Sequence, residues 1–284
     1  MLNTALKALK APFFLIISLV VLIVNKGDLP SKKDFLNPAK TQTFVLADAL
    51  FRAQGVTNDG GYFYFSWNYG LIKTELDGET VVCQNLCAIP YELLRLGCRH
   101  IGGITSFDGK IYATIEDSKV FQNLYMARWD AATLKLIDFK PLPLERHENG
   151  APWCAANSDE GVIYSARRDN IEELNVYDAE TMEFLRTIPL TSDLPVHKIQ
   201  GGEMYGGLLY LSASRGSQPV FSADVSSGAV SVAFERNLAD GSEGEGMTVL
   251  PMKDGTLFHI LDIAKIRLGV HFRHYLPDAE LCGS

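Results

Sequence analysis

Two carboxylates separated by a single glycine, Glu243 and Glu245, are candidates for either metal binding or proton transfer. With nearby carbonyl and amide oxygens they could bind calcium, because this hard cation prefers oxygen ligands. Alternatively, one of the two could have a raised pKa and serve as an acid. Because glycines surround the pair, a solvated turn without chemistry explains the same residues equally well.

His100 is a candidate general base or metal ligand, since a neutral imidazole can accept a proton or bind a cation. The alternative is a histidine that only hydrogen-bonds at the entry to a strand. In an enzyme, His100 and Glu245 would be the catalytic proton-transfer groups. Arg167 or Arg168 could bind a carboxylate or phosphate through two parallel hydrogen bonds. The candidate ligand-binding residues are Gln54, Asn149, Trp153, Arg167, Gln200 and Arg215.

Short strands that recur along the chain would have to position these side chains. Residues 151–190 contain four runs of alternating apolar and polar residues, separated by clusters of Gly and Asp that suit chain reversal. Four partial copies of this unit begin near residues 54, 101, 200 and 245. Their equivalent positions are Gly55, Gly103, Pro152, Gly202 and Gly246, spaced 48, 49, 50 and 44 residues apart. Such regularity indicates a radial or solenoid repeat.

Two turns recur at the same place in each unit. The first is a tight hairpin marked by Asp-Gly or a similar pair, as at residues 59–60, 108–109, 160–161, 206–207 and 254–255. The second begins with Asp77, Asp130, Asp178 or Asp224, whose side chains can bond the turn backbone. The agreement of both turns predicts four-stranded antiparallel blades.

These repeats predict an all-β protein, a five-bladed β-propeller. Six blades would require an irregular blade within residues 83–100 or 140–150. The fifth unit has only three strands, ending near residues 271–275, whereas the strand-like segment 41–47 has no partner of its own. We therefore expect the N-terminal strand to complete the last blade, which removes the open edges of a partial ring. A brief helix is expected within residues 89–96.

The blade pattern resembles the group of five- and six-bladed propellers that includes NHL and YWTD repeat proteins, lactonases, strictosidine-synthase-like proteins and glutamine cyclotransferases. The resemblance covers residues 41–275 and implies a fold rather than an activity. Gln54-Gly55-Val56 and the segment 243–248 (EGEGMT) look like the QG(L) and GEG(LT) blade starts of glutamine cyclotransferases. In that family the second motif stands early in the chain, whereas here it stands in the last blade.

A propeller would bring the candidate residues together at one mouth of its central channel. Residues just before each innermost strand ring this mouth, and loops between the second and third strands open on the same face. The first group is Gln54, His100, Asn149, Gln200, Glu243 and Glu245. The second group is Asn68, Glu116, Asp117, Arg167, Arg168, Asp169, Arg215 and Asp262. Converging polar groups from several repeats are what a ligand pocket requires.

The N-terminal region predicts a membrane tether. Residues 11–24 are an apolar run flanked by Lys7, Lys10 and Lys26, shorter than the roughly 20 apolar residues of a full span. No small-x-small cleavage site follows, which favours an uncleaved signal anchor over a removed signal peptide. We expect residues 1–25 to form a hydrophobic helix, 26–40 a linker, 41–275 the propeller and 276–284 a C-terminal tail. The propeller would lie outside the cytoplasm, or be secreted if the segment is cleaved.

Charge and cysteine content limit the partners further. The formal net charge is −8, and it is −11 beyond residue 39, so the chain lacks the basic face that nucleic acid binding needs. Cys87 and Cys98 could form a disulfide, although all five cysteines being reduced is an equal alternative.

Two hypotheses for function follow. The first is a membrane-tethered or exported propeller that binds a small molecule or a protein at the channel mouth without chemistry. The alternative is a hydrolase, lactonase or glutamine-cyclotransferase-like enzyme that uses the same face, with calcium as a possible cofactor.

Overall fold

A computed structural model describes residues 35–117, 119–214 and 218–277 of the 284-residue chain. The expected N-terminal hydrophobic helix, Arg215 and most of the C-terminal tail lie outside these residues. In the described part of the chain, no helix is long and apolar enough to cross a membrane.

The regular secondary structure of the described residues is almost entirely short β-strands. The strands are β1 (Lys40–Val45), β2 (Val56–Asn58), β3 (Phe63–Trp67), β4 (Gly70–Thr74), β5 (Val81–Asn85), β6 (His100–Phe107), β7 (Lys110–Glu116), β8 (Leu124–Asp130), β9 (Leu136–Pro141), β10 (Cys154–Asn157), β11 (Val162–Ser165), β12 (Glu173–Asp178), β13 (Phe184–Pro189), β14 (Thr191–Ser192), β15 (Ile199–Tyr205), β16 (Leu208–Ala213), β17 (Val220–Ala223), β18 (Ala229–Phe234), β19 (Glu243–Val249), β20 (Phe258–Ile263) and β21 (Gly269–Tyr275). The helices are α1 (Ala47–Leu50), α2 (Tyr91–Arg95) and a 3-10 turn (Leu144–Arg146). Helix α2 falls inside the segment where the sequence predicts one.

The strands form five antiparallel four-stranded sheets, the blades of a five-bladed β-propeller. Blade 1 is β2-β3-β4-β5, blade 2 is β6-β7-β8-β9, blade 3 is β10-β11-β12-β13, blade 4 is β15-β16-β17-β18 and blade 5 is β19-β20-β21-β1. The predicted count of five is confirmed. The one addition is β14, which pairs in parallel with β18 at the outer edge of blade 4.

Blade 5 closes the ring as the sequence predicts. Strand β1 pairs antiparallel with β21, from Lys40 opposite His274 to Val45 opposite Gly269. The outermost strand of the last blade therefore comes from the N-terminal side of the propeller. This pairing covers an edge that would otherwise expose unpaired backbone groups.

The repeated aspartates hold the second turn of blades 1 to 4 as expected. Asp77 Oδ1 accepts hydrogen bonds from the backbone amides of Glu79 and Thr80, each at 2.8 Å. Asp130 and Asp178 accept from the amide three residues ahead at 2.8 and 2.6 Å. These bonds favour the carboxylate form, and the pKa values of the three aspartates lie below the ordinary value.

The innermost strands meet so closely that backbone fills the propeller axis. A Cβ on Gly246 would lie 2.6 Å from the Cα of Gly55, and one on Gly201 would lie 2.8 Å from the Cα of Gly246. Only glycine permits this approach. Blade 3 has Trp153 at this level instead, and its fully buried indole packs in the hydrophobic core between blades 3 and 4.

A layer of hydrogen-bonded polar side chains joins the inner strands β2, β15 and β19. The half-buried carboxylate of Glu203 accepts a hydrogen bond from Thr248 Oγ1 at 2.7 Å and also bonds the side chain of Thr57. Asn58 donates to Thr248 Oγ1, again at 2.7 Å. Burial raises the pKa of Glu203 to about 8.

The four described cysteines, Cys83, Cys87, Cys98 and Cys154, are free thiols. The possible bridge between Cys87 and Cys98 is therefore not formed. Cys154 is fully buried, as its position in an apolar strand predicts.

Candidate functional site

A small pocket of about 150 Å³ opens at the channel mouth, which we call the central pocket. Its floor is the close-packed glycine level, so it is a depression and not a passage through the ring. The lining residues are Gln54, His100, Glu116, Pro152, Arg168, Gln200, Glu243, Glu245 and Arg267. Residues from all five blades thus converge here.

β-Bulges in the inner strands place several of these side chains. Register shifts interrupt β15 between Ile199 and Gly201, and β19 between Gly244 and Met247. A bulge bends its strand and re-aims the side chains at that point. The residues inside these two irregular steps include Gln200 and Glu245, both of which line the central pocket.

Glu245 is the most perturbed titratable group of the central pocket. Its side chain is buried, and no hydrogen bond reaches its carboxyl group from residues 35–117, 119–214 and 218–277. Burial raises the pKa of this carboxyl well above the ordinary value, and repulsion from Glu243 adds to the effect. Arg267 and Arg236 oppose it more weakly. The raised pKa favours the protonated form of Glu245, which could donate a proton into the pocket.

His100 lies between two polar partners. Its Nε2 is 2.6 Å from Gln54 Oε1, and its Nδ1 is 3.2 Å from Glu116 Oε1. The second contact lacks hydrogen-bond geometry, so Nδ1 is buried without a bond. Glu116 in turn accepts a hydrogen bond from the Ala151 amide at 2.9 Å. For Nε2 of His100 to act as a base, a substrate group would have to replace Gln54 Oε1 as its hydrogen-bond partner.

The other charged residues of the central pocket differ in whether they form an ion pair. Arg267 donates to Glu243 at 2.5 Å across the pocket rim, where the arginine side chain is 71% exposed. Arg168 has no ion-pair partner among the residues that the structure describes. The pocket therefore combines a carboxyl group whose pKa is raised with a guanidinium that has no ion-pair partner among the described residues, a pair able to bind and protonate a small polar molecule.

The described residues contain no group of three or more His, Cys, Asp or Glu side chains arranged to hold a metal ion. Glu243 is engaged by Arg267, and Glu245 is in an environment that disfavours its charged form. The calcium site that the sequence allows at Glu243 and Glu245 stays a prediction, since it would also need carbonyl, amide or water oxygens beside these two carboxyl groups.

Three of the predicted ligand-binding residues do not line the central pocket, and the structure does not describe a fourth. Asn149 is exposed outside it, and the indole of Trp153 is buried in the core between blades. Arg167 bonds the carbonyl of Asn170 and the carboxylate of Glu172, so its neighbour Arg168 takes the pocket position. The fourth, Arg215, lies outside the described residues.

Sequence reasoning missed Arg267 and misplaced Asp262. Arg267 follows β20 in the loop between the second and third strands of blade 5, the loop class that we expected at this face. Asp262 stands before that loop, where it is buried and paired with Arg273 at 2.5 Å. Its position in this loop could have identified Arg267. Asp262 was chosen instead because it is the first polar residue of that region.

No family model and no curated protein matches the chain. Among solved structures, the glutaminyl cyclase of Myxococcus xanthus is similar over 86% of this chain and 100% of its own, with a TM-score of 0.54 and 16% identity. The WD40 repeats of RRP9 (TM-score 0.35, 16% identity) cover 54% of this chain and 44% of their own. A chain of the mitotic checkpoint complex (TM-score 0.41, 9% identity) covers 78% and 63%. The first of these likenesses shows a shared propeller fold.

Proposed function

We propose that this protein is an enzyme of the acyl-transfer type that acts on a small polar substrate in the central pocket. The observation that carries the proposal is Glu245, a buried carboxyl group that lines the pocket and has no hydrogen bond from the described residues. Buried carboxyl groups with perturbed pKa values in a cleft are a common property of active sites.

In the proposed reaction, the nucleophile adds to the substrate's carbonyl carbon, and the neutral Glu245 protonates the group that leaves when the tetrahedral intermediate collapses. The resulting carboxylate takes the proton that the added nucleophile releases, so the acid is restored at the end of each turnover. Arg168 would bind a carboxylate or carbonyl oxygen of the substrate. His100 and Gln54 would orient it through hydrogen bonds.

Hydrolysis of an ester or lactone and cyclisation of an N-terminal glutamine both follow this scheme. The second is supported by the fold shared with a glutaminyl cyclase and by the two motifs that resemble that family. Ring closure brings these motifs together, since the Gly246 amide donates to the Gln54 carbonyl at 2.8 Å. Their separation in the chain therefore does not separate them in space.

The test is to assay esters, lactones and N-terminal glutamine peptides with the wild-type chain and with Glu245→Gln. We expect turnover of one class and a loss of about 10²–10⁴-fold in kcat for the variant, the usual contribution of a general acid or base. Glu243→Gln is the matched control, since it removes a pocket carboxylate that is already paired, and it should lose less. If all three classes remain untouched with and without calcium, the enzyme proposal is wrong.

Binding without chemistry is the second candidate function. It is supported by His100, whose two ring nitrogens already face Gln54 and Glu116. In that case ligands would protect the protein against thermal unfolding but would not be converted.

We further propose that residues 1–25 tether the protein to a membrane, with the propeller outside the cytoplasm. The apolar run at residues 11–24 supports this proposal. Fractionation of the full chain, with and without residues 1–25, tests it: the full chain should sediment with membranes, whereas the shortened chain should not.

A further inference from the structure

A second and larger pocket of about 560 Å³ lies beside the central pocket, over the gap between blades 1 and 2. We call it the outer pocket. Its lining includes Tyr69, Leu96, Arg99, Asp117, Lys119 and Val120. This volume falls within the range of small-molecule sites in proteins, roughly 300–1,000 Å³.

The two pockets are adjacent along the same pair of strands. His100 and Glu116, which face each other across β6 and β7, line the central pocket. The next residues outward, Arg99 and Asp117, line the outer pocket. The two pockets share no lining residue among the residues that the structure describes.

The charges of the outer pocket favour an anion. Within residues 35–117, 119–214 and 218–277, the exposed side chains of Arg99 and Lys119 have no ion-pair or hydrogen-bond partner. The nearby carboxylate of Asp117 is already engaged, since it accepts bonds from the amides of Phe121 at 2.6 Å and Gln122 at 3.1 Å. Two free cations on one rim stand out in a chain of net charge −8.

The rest of the wall is apolar. Leu96 is 49% exposed and Val120 is 68% exposed, and the partly exposed ring of Tyr69 stands beside them. Apolar and aromatic walls with a few convergent charges are typical of small-molecule sites. Such a surface fits a hydrocarbon body that carries one carboxylate.

We propose that the outer pocket binds an apolar ligand that carries a carboxylate. Binding in the outer pocket is independent of catalysis in the central pocket.

A ligand-observed NMR titration with 3-phenylpropionate and its uncharged amide tests the proposal. The carboxylate should bind more tightly than the amide. Arg99→Gln and Lys119→Gln should each weaken carboxylate binding by about two- to fivefold, the range for an exposed ion pair, without affecting the amide. Arg95→Gln is the control, because Arg95 is exposed on α2 but does not line the pocket.

Equal binding of both probes, absence of binding, or unchanged carboxylate binding in both lining variants would overturn the proposal. Glu245→Gln should bind the carboxylate as the wild type does. A failure of the enzyme proposal would appear only in the turnover assays, and it would leave these titrations unchanged.

Discussion

Replacing Glu203 with glutamine should change how the stability of the propeller depends on pH. The folded-state pKa of about 8 exceeds the ordinary value of 4.5, because burial disfavours the charge. The folded protein therefore holds a proton that the unfolded chain releases between these two pH values. The free energy of unfolding should be unaffected by Glu203 below pH 4.5 and should fall as the pH rises toward 8.

The magnitude follows from the difference between the two pKa values. One unit corresponds to about 1.4 kcal/mol, so the full difference gives an upper limit of about 5 kcal/mol. The half-buried side chain keeps some contact with solvent, and we expect a smaller change of about 1–4 kcal/mol. Glutamine cannot ionise, so Glu203→Gln should equal the wild type near pH 4.5 and exceed it in stability above pH 8.

Urea unfolding at intervals from pH 4.5 to 9 measures this difference directly, because linear extrapolation to zero denaturant gives the free energy of unfolding at each pH. Glu92→Gln is the matched control, since Glu92 is exposed on α2 and has no ion pair among the described residues. Its profile should run parallel to that of the wild type. A constant difference between Glu203→Gln and the wild type across this range would refute the reasoning.

Two further substitutions test what stabilises the propeller, one at the close-packed axis and one at a buried ion pair. Gly246→Ala should lower the free energy of unfolding by about 1–3 kcal/mol, because its Cβ would lie 2.6 Å from a backbone carbon of blade 1. Gly61→Ala is the control, because its Cβ would meet only a carboxylate oxygen at 3.5 Å, and it should change the free energy of unfolding far less. Equal urea midpoints for the two variants would contradict this explanation. Arg273→Leu should cost about 3–5 kcal/mol, because it leaves Asp262 buried and unpaired. Adding Asp262→Asn should recover part of that loss in thermal unfolding, and no recovery would count against the explanation.

The architecture was predictable because all five blades repeat the first turn and four of them repeat the second. Asp77 and its equivalents bond their own turns, so local sequence alone determines these reversals. The partnerless strand at residues 41–47 likewise indicated the closure of blade 5. By contrast, β14 consists of two residues and leaves no periodic signal.

The candidate site was predictable only in part. We expected residues near the start of each inner strand to ring the mouth of the central channel, and Gln54, His100, Gln200 and Glu245 line the central pocket there. The side chain of Trp153 occupies the same level of the ring, but it turns into the core. Whether a side chain faces the pocket or the core depends on bulges and on packing between blades, which one sequence does not reveal.

The pairing of β1 with β21 has a consequence for biosynthesis. As the ribosome synthesises this chain, residues 40–45 emerge early, but their partner at residues 269–275 emerges more than 200 residues later. During that interval β1 and the nascent blades retain exposed strand edges that can pair wrongly or attract chaperones. Ring closure is therefore a late event, and a stalled or truncated product that stops before residue 269 should be a preferred target for proteolysis.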